Sequence, residues 1–280
     1  MQKQYDSLKL IKVENVGEFV YKVSLNRPSK FNALNMEIWK EIGDCFQWID
    51  EDPDCRVVIL QGEGKHFCSG LDLGGISLFN ENDTNDSARK GRNILKTIKF
   101  MQKQFTYIDE CSKPVILAMH GYCLGAALDI ATACDVRVAT KDAILSVKEV
   151  DIGMAADVGT LNRLPKIVGN HSWIKDICLT ARHFSAGEAL QFGIFLFLRV
   201  FDTREEMINE VTKMAKLIAS KSPVGVQGTK NVLNYARENT IENSLNYVAT
   251  WNMSQLFTDD LVKASMASFS KQPQPPFSKL

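Results

Sequence analysis

Pro114-Val-Ile-Leu-Ala-Met-His-Gly-Tyr-Cys-Leu-Gly-Ala-Ala-Leu-Asp-Ile-Ala-Thr-Ala-Cys134 is the stretch whose reading decides the fold. Its first six residues form a continuous apolar run closed by His120-Gly121, the pattern of a strand buried on both faces. Gly121 and Gly125 mark a turn, and the small apolar residues from 125 to 134 read as a buried helix. The run is apolar enough to suggest a membrane span. His120, Asp129 and the glycines inside it argue for strand, turn and helix instead. Asp129 is the only charge between 125 and 134.

The same punctuation recurs on either side. Phe19-Val-Tyr-Lys-Val-Ser-Leu25 reads as a strand stopped by Asn26-Arg-Pro28, and Val57-Val-Ile-Leu60 as a second fully buried strand. Val136-Arg-Val-Ala139 and Ala143-Ile-Leu-Ser-Val147 predict short strands. Helical spacing of apolar residues appears over 35–50 and again over 88–108. Alternation of this kind to about residue 180 predicts an α/β fold of repeated ββα-like units, although no sequence repeat is visible. From Thr203 onward only helices are predicted, over 205–220, 224–238 and 241–257. The last carries Tyr247, Trp251, Met253 and Phe257, too apolar a set to leave in water. Residues 80–87 read as a polar mobile loop. Residues 194–201 are more apolar than a surface loop and are read as packed.

Bulk properties exclude several classes. The chain has 280 residues, 33 basic and 33 acidic, so no net charge draws it to nucleic acid or to an anionic membrane. The basic residues Arg89, Lys90, Arg92, Lys96, Lys99 and Lys103 of the 88–108 helix are read as a solvated face or as an environment for a ligand's phosphate groups. Seven scattered cysteines with no C-x-x-C, and four dispersed histidines, argue against a zinc site or a disulfide framework. No metal is expected. Residues 1–10 lack the apolar core of a signal peptide, and no membrane span is expected. Ser278-Lys279-Leu280 is a receptor-read peroxisomal address, and the Pro-rich run before it is expected to hold it free.

Three acids stand out against this background. Asp129 and Asp157 are lone charges among Gly, Ala and aliphatic residues, and Glu149 lies just upstream of the second. Buried acids with acidic neighbours have raised pKa values, as proton transfer near neutrality requires. Their structural alternatives are a helix-dipole acid for Asp129 and ion pairs to Lys148 or Arg163 for the other two. Asp151, in the same segment, is read as structural. Two glycine turns, Ser69-Gly-Leu-Asp-Leu73 and Leu124-Gly-Ala126, follow buried strands and can aim backbone N–H groups at one oxygen. No G-x-S-x-G, Walker loop or G-x-G-x-x-G occurs. Carboxylate acid–base chemistry assisted by backbone donors is what remains.

These motifs resemble the crotonase (enoyl-CoA hydratase/isomerase) superfamily. The resemblance rests on Leu25-Asn-Arg-Pro28 with Asn32-Ala-Leu34, Phe67-Cys-Ser-Gly-Leu-Asp-Leu73, Lys113-Pro-Val-Ile116, His120-Gly121 with Leu124-Gly-Ala-Ala-Leu-Asp129, Ala133-Cys-Asp-Val-Arg137 and Leu164-Pro-Lys-Ile-Val-Gly169. Together they cover about residues 8–266. Val147 to Leu161 and Ser244 to Ser254 resemble the Δ3,5-Δ2,4-dienoyl-CoA isomerase branch. The resemblance implies a crotonase-like spiral of ββα units over 1–200 and a helical trimerisation region over 201–280. It further implies a trimer or a hexamer of two trimers, an acyl-CoA thioester substrate and no cofactor.

Carried over by position, Leu71 and Ala126 supply the oxyanion-hole N–H groups, Ser69, Gly70, Leu71, Asp72, Leu73 and Ala126 contact substrate, and Glu149, Asp157 and Asp129 are the catalytic acids. Hydratases of the family usually carry glutamates at positions 129 and 149. The shorter Asp129 and the added Asp157 favour an isomerase that converts 3,5-dienoyl-CoA to 2,4-dienoyl-CoA in β-oxidation. Asp157 is read as the base at C2 and Glu149 as the acid at C6, with the two exchangeable on sequence grounds. 2-Enoyl-CoA hydratase and Δ3-Δ2-enoyl-CoA isomerase are the nearest alternatives, and a non-catalytic or RNA-binding homologue a remoter one. The expected compartment is the peroxisome, with the mitochondrion second. Where the family usually has three glycines this chain has Gly125-Ala-Ala127, so methyl groups at 126 and 127 are expected to narrow the pocket.

Overall fold

The computed structural model describes residues 2–74, 86–194 and 200–280. Most of the predicted polar loop at 80–87 and of the apolar segment at 194–201 lies outside the described residues.

In chain order, a short α1 (Gln2–Tyr5) leads into the antiparallel pair β1 (Ile11–Gly17) and β2 (Val20–Leu25). Next come α2 (Met36–Asp50), β3 (Val57–Gly62) and α3 (Ser87–Glu110). The decisive stretch folds as β4 (Val115–Met119), β5 (Tyr122–Leu124) and α4 (Ala126–Ala133). It is followed by β6 (Val136–Thr140), β7 (Ile144–Ser146), α5 (Thr160–Ile167), α6 (His171–Thr180), β8 (Phe184–Ser185), α7 (Ala186–Gln191) and β9 (Val200–Phe201). Four helices close the chain: α8 (Arg204–Ala219), α9 (Pro223–Glu238), α10 (Ile241–Gln255) and α11 (Asp259–Phe269). Side chains cap most of the longer helices. The Asn35 side chain accepts from the Ile38 amide at 3.0 Å, and Asp86, Thr203, Ser222 and Thr240 act likewise. Each such cap is worth about 1 kcal/mol.

The strands form a six-stranded sheet ordered β1-β2-β3-β4-β6-β9 and a three-stranded sheet ordered β5-β7-β8. From β2 to β9 the large sheet is parallel. β4 is apolar at every position, and β3 from Val57 to Leu60, because both faces are covered. Val58, Leu60, Val115, Leu117 and Met119 face a core shared with α2, α3 and α4. Val57, Ile59, Ile116 and Ala118 face a second core built with Met207, Val211, Ala215 and Ala219, one face of α8.

A spiral repeat is visible in the pairing. Cys68 bridges Cys123, and Cys123 pairs with Leu145, so 68, 123 and 145 stand side by side in the small sheet. Each of three successive units therefore sends one strand (β3, β4, β6) to the large sheet and the next segment to the small one, then a helix (α3, α4, α5). This is the crotonase-like ββα spiral, and it shows in backbone register although the side chains do not repeat.

The C-terminal helices behave in two ways. Tyr247 stacks on Tyr235 at 3.9 Å and accepts from Asn231 Nδ2 at 2.7 Å, and Trp251 packs against Gly228, so these two join α10 to α9. Met253 and Phe257 point away, Phe257 with 88% of its surface exposed, and Phe269 of α11 is 89% exposed. All seven cysteines are buried free thiols. Among the described residues no helix is long and apolar enough to cross a membrane. One expectation about the tail is corrected. Phe277 is buried, Arg56 donates to the carbonyls of Phe277 and Ser278 at 2.6 and 3.1 Å, and Lys279 pairs with Asp54. Ser278, Lys279 and Leu280 are exposed, yet the tail is fastened to the body rather than free.

Candidate active site

The three repeat units end at one place. Leu71 and Ala126 stand three residues beyond Cys68 and Cys123, and Glu149 four beyond Leu145, the residues aligned across the small sheet. A cavity of about 780 Å³ opens there. Ser69, Gly70, Leu71 and Leu73 line one side, and Gly125, Ala126, Asp129, Glu149 and Asp157 another. Most of the remaining wall is apolar, with Trp39 from α2, Ile94, Ile98 and Met101 from α3, and Ile152, Met154 and Val158, and the ion pair of Lys148 and Asp151 borders it.

The two glycine turns are locked together. Cys68 N donates to Tyr122 O at 3.1 Å and Leu124 N to Cys68 O at 3.0 Å. Gly70 has φ +91, and a Cβ on it would stand 2.9 Å from Leu124 O. Leu34 N donates to Gly70 O and Asp72 N to Leu34 O, which ties down the residues flanking Leu71 and leaves its own N–H unused. Neither the Leu71 amide nor the Ala126 amide has an acceptor among the described residues. Ala126 opens α4, where unpaired N–H groups and the helix dipole favour negative charge. Asn32 supports this corner from beneath, its Nδ2 donating to Glu63 O, His66 O and Phe67 O at 2.9–3.1 Å.

Placement differs among the expected contact residues. Asp72 turns away from the cavity to pair with Arg27 Nη1 at 2.6 Å. Ala127 is fully buried in the core, so only the Ala126 methyl reaches the cavity, a correction to the expectation for both alanines.

All three acids reach the same cavity, and among the described residues the ion pairs that would make them structural are absent. Lys148 goes to Asp151 at 2.6 Å, and Arg163 to Asp109 at 3.2 Å. Asp129 has no exposed surface. One of its oxygens accepts from the Thr160 amide at 2.6 Å, and the other is buried without a partner. Burial pushes its carboxyl up to about 6, and the negative charge of Asp157 adds to this, while Thr160 and Arg163 oppose it. Glu149 begins a short 3₁₀ turn, and its Oε2 is likewise buried and unpartnered. Burial, then the charges of Asp129 and Asp157, push it up to about 7. Asp157 is also raised, through burial. All three carboxyls are thus raised together, so the site holds protons more readily than free carboxylates do.

Glu149 and Asp157 are fixed by different contacts. A Cβ on Gly125 would lie 3.1 Å from Glu149 Oε1, so this carboxyl rests close to the start of α4. The Asp157 backbone is held by α3, its carbonyl oxygen accepting from Gln102 Nε2 at 2.6 Å. Sequence reading missed the α3 wall. Its signal was present as Ile94, Ile98 and Met101, spaced by four and three on an otherwise basic helix.

A family model described as enoyl-CoA hydratase/isomerase matches residues 15–279. The mitochondrial Δ(3,5)-Δ(2,4)-dienoyl-CoA isomerase of Mus musculus is 46% identical over 263 residues, covering 94% of this chain and 80% of its own. A peroxisomal Δ(3,5)-Δ(2,4)-dienoyl-CoA isomerase of Arabidopsis thaliana is 43% identical, with 99% of each chain covered. Among solved structures, an enoyl-CoA hydratase from Bacillus anthracis superposes with a TM-score of 0.86 at 26% identity, covering 96% of this chain and 99% of that one. With this spiral fold and this convergence of two free amides on buried acids, the chain belongs to the enoyl-CoA hydratase/isomerase family.

Proposed function

We propose that the protein converts 3,5-dienoyl-CoA thioesters to 2,4-dienoyl-CoA thioesters in fatty-acid β-oxidation. The observation that carries the reading is that Glu149 and Asp157 share one cavity with a largely apolar wall and, among the described residues, neither is ion-paired, since Lys148 goes to Asp151 and Arg163 to Asp109. A hydration site needs acids that hold one water at a single double bond. Moving a diene needs two carboxyls reaching opposite ends of a conjugated chain. Relatives named for that isomerisation, 43–46% identical to this chain, support the same reading.

The thioester oxygen sits on the N–H groups of Leu71 and Ala126. Ionised Glu149 takes a proton from C2, and the C–H electron pair moves into the C1–C2 bond, leaving an oxyanion at the two amides. Collapse of the dienolate forms C2=C3 and C4=C5, and C6 takes a proton from neutral Asp157. Exchange of one proton between the two acids restores the starting state. Glu149 is assigned to C2 because its carboxyl lies close to the α4 start, next to the carbonyl site, which leaves Asp157 for C6. This reverses the tentative order read from sequence. Asp129 stays ionised and biases the other two. The apolar wall of α2 and α3 receives the acyl chain. An ultraviolet assay on a 3,5-dienoyl-CoA tests the reaction: growth of the conjugated 2,4-dienoyl thioester band supports it, and its absence alongside rapid hydration of a 2-enoyl-CoA replaces it with the hydratase reading.

Assembly and location follow from the C-terminal region, 201–280. Met253, Phe257 and Phe269 are exposed in one chain, and a trimer-based oligomer, trimer or hexamer, would cover them. Light scattering that gave a single 31.4 kDa chain at micromolar concentration would contradict this. Ser278-Lys279-Leu280 fits a peroxisomal import receptor, in line with the relative named peroxisomal, while other relatives are named mitochondrial. Deleting the tripeptide should leave the protein cytosolic, and unchanged peroxisomal imaging would discard the address.

A further inference from the structure

Arg163 is a part-buried cation that the shuttle described above does not use. It lies on the first turn of α5, directly behind the acids. Its Nε donates to Asp109 Oδ2 and its Nη2 to Thr106 Oγ1, both at 3.2 Å, so α3 fixes the guanidinium plane. Asp109 is itself clamped by Arg237 of α9, at 3.1 and 2.9 Å, and its carbonyl accepts from Asn234 at 3.0 Å. Only Nη1 has no hydrogen-bond partner among the described residues, and it points at Gly159.

Gly159 is what lets it come so close. A Cβ there would stand 2.1 Å from Arg163 Nη1 and 3.9 Å from Asp129 Oδ1. The guanidinium therefore occupies the space a side chain at 159 would need, and on its other side that space borders the Asp129 carboxylate. The next amide, Thr160 N, is the one that donates to Asp129 Oδ1. One short segment, 159–163, thus brings a fixed cation and a helix-start N–H group to the same buried acid.

We propose that Arg163 is a positioning residue for the proton shuttle: acting across the gap left by Gly159, it holds Asp129 ionised, and Asp129 in turn sets how many protons Glu149 and Asp157 share. The inference rests on the isomerase reading for its kinetic consequence and not for its electrostatics. The charged and titratable groups around Asp129 are Arg163 on α5, Glu149, Asp157 and the thiols of Cys68 and Cys178. Asp109 and Arg237 stand behind Arg163. Of these, Arg163 is the cation that favours the ionised form of Asp129, and the neighbouring acids oppose it. Without it, Asp129 takes up a proton at higher pH, and the repulsion that keeps one of the other two acids neutral is lost.

The test is a pH–rate series on Arg163→Met and Arg163→Lys, each made in the parent and in the Asp129→Asn background. Thermal unfolding identifies the folded variants. Arg163→Met is expected to move the acid limb of kcat upward by about one pH unit with KM little changed. Arg163→Lys should restore most of the parent profile. In the Asp129→Asn background Arg163→Met should move nothing. The same shift with Asp129 absent, or no shift with Asp129 present, overturns the proposal. A ¹³C NMR titration of the Asp129 carboxyl reads the same electrostatics without turnover. Its pKa must rise in Arg163→Met and return in Arg163→Lys, even if the chain proved to act on another enoyl-CoA.

Discussion

Asp157→Asn and Glu149→Gln are each expected to lower dienoyl isomerisation about 100-fold or more, with substrate binding little affected. Each replacement keeps shape and polarity but cannot exchange a proton. One flexible carboxyl could serve positions two carbons apart, but it cannot serve C2 and C6 from one seat. Neither residue is held by an ion pair among the described residues, so their loss should not unfold the chain. Glu149→Gln should even stabilise it under alkaline conditions. A carboxyl raised from its usual range to about 7 favours the fold while neutral, and that contribution is lost as pH rises through 7. Glu149→Gln removes this loss, so its melting temperature at pH 8 should exceed the parent's, by about 1–3 kcal/mol of stability, with little difference at pH 4. A Glu149→Gln variant that is both inactive and more stable at pH 8 marks a strained functional acid. One that is inactive and less stable at pH 8 marks a structural one.

Leu71→Pro is expected to reduce turnover by a further large factor, about 10²–10³-fold, through loss of one oxyanion donor worth about 3 kcal/mol. Removing a backbone N–H usually breaks the fold, but here the flanking residues carry the local pairing. Gly70 O and Asp72 N bond Leu34, and the Leu71 amide bonds nothing among the described residues. The proline ring therefore deletes a donor to substrate and no donor to protein. Affinity for a saturated acyl-CoA should fall far less than kcat, because the amide meets full negative charge only in the dienolate. Circular dichroism establishes that the variant is folded. Near-parent turnover in a folded variant would place the oxyanion site elsewhere.

Much of this was legible in the chain. Fully apolar runs at 57–60 and 114–119 give strands covered on both faces, and the structure covers them with α2, α3 and α4 on one side and α8 on the other. Lone charges in small-residue segments located Asp129 and Asp157, since burying an acid among alanines is unfavourable unless the charge is used. What could not be read was position across the fold. The register that aligns 68, 123 and 145 is a backbone property with no side-chain signature. Asp72 sits inside a recognised loop yet turns to Arg27, a partner 45 residues earlier in the chain that the loop's own sequence does not reveal. Arg163 looked like a candidate partner for Glu149 or Asp157, and only the clamp from Asp109 shows that it serves neither directly. Tyr247, Trp251, Met253 and Phe257 read as one set too apolar for water, and the sequence does not show that the helix turns the first two onto α9 and leaves the other two exposed.

The central claim is that two carboxyls work at opposite ends of one diene, and hydrogen–deuterium exchange in D₂O tests it most directly. The parent enzyme and the two acid variants are incubated with a 3,5-dienoyl-CoA, and deuterium is located by NMR. The parent should give 2,4-dienoyl-CoA carrying deuterium at C6. Asp157→Asn should still exchange the C2 protons of unreacted substrate while placing no deuterium at C6, and Glu149→Gln should do neither. Deuterium at C6 at the parent rate in Asp157→Asn, or C2 exchange at the parent rate in Glu149→Gln, would contradict the two-acid account.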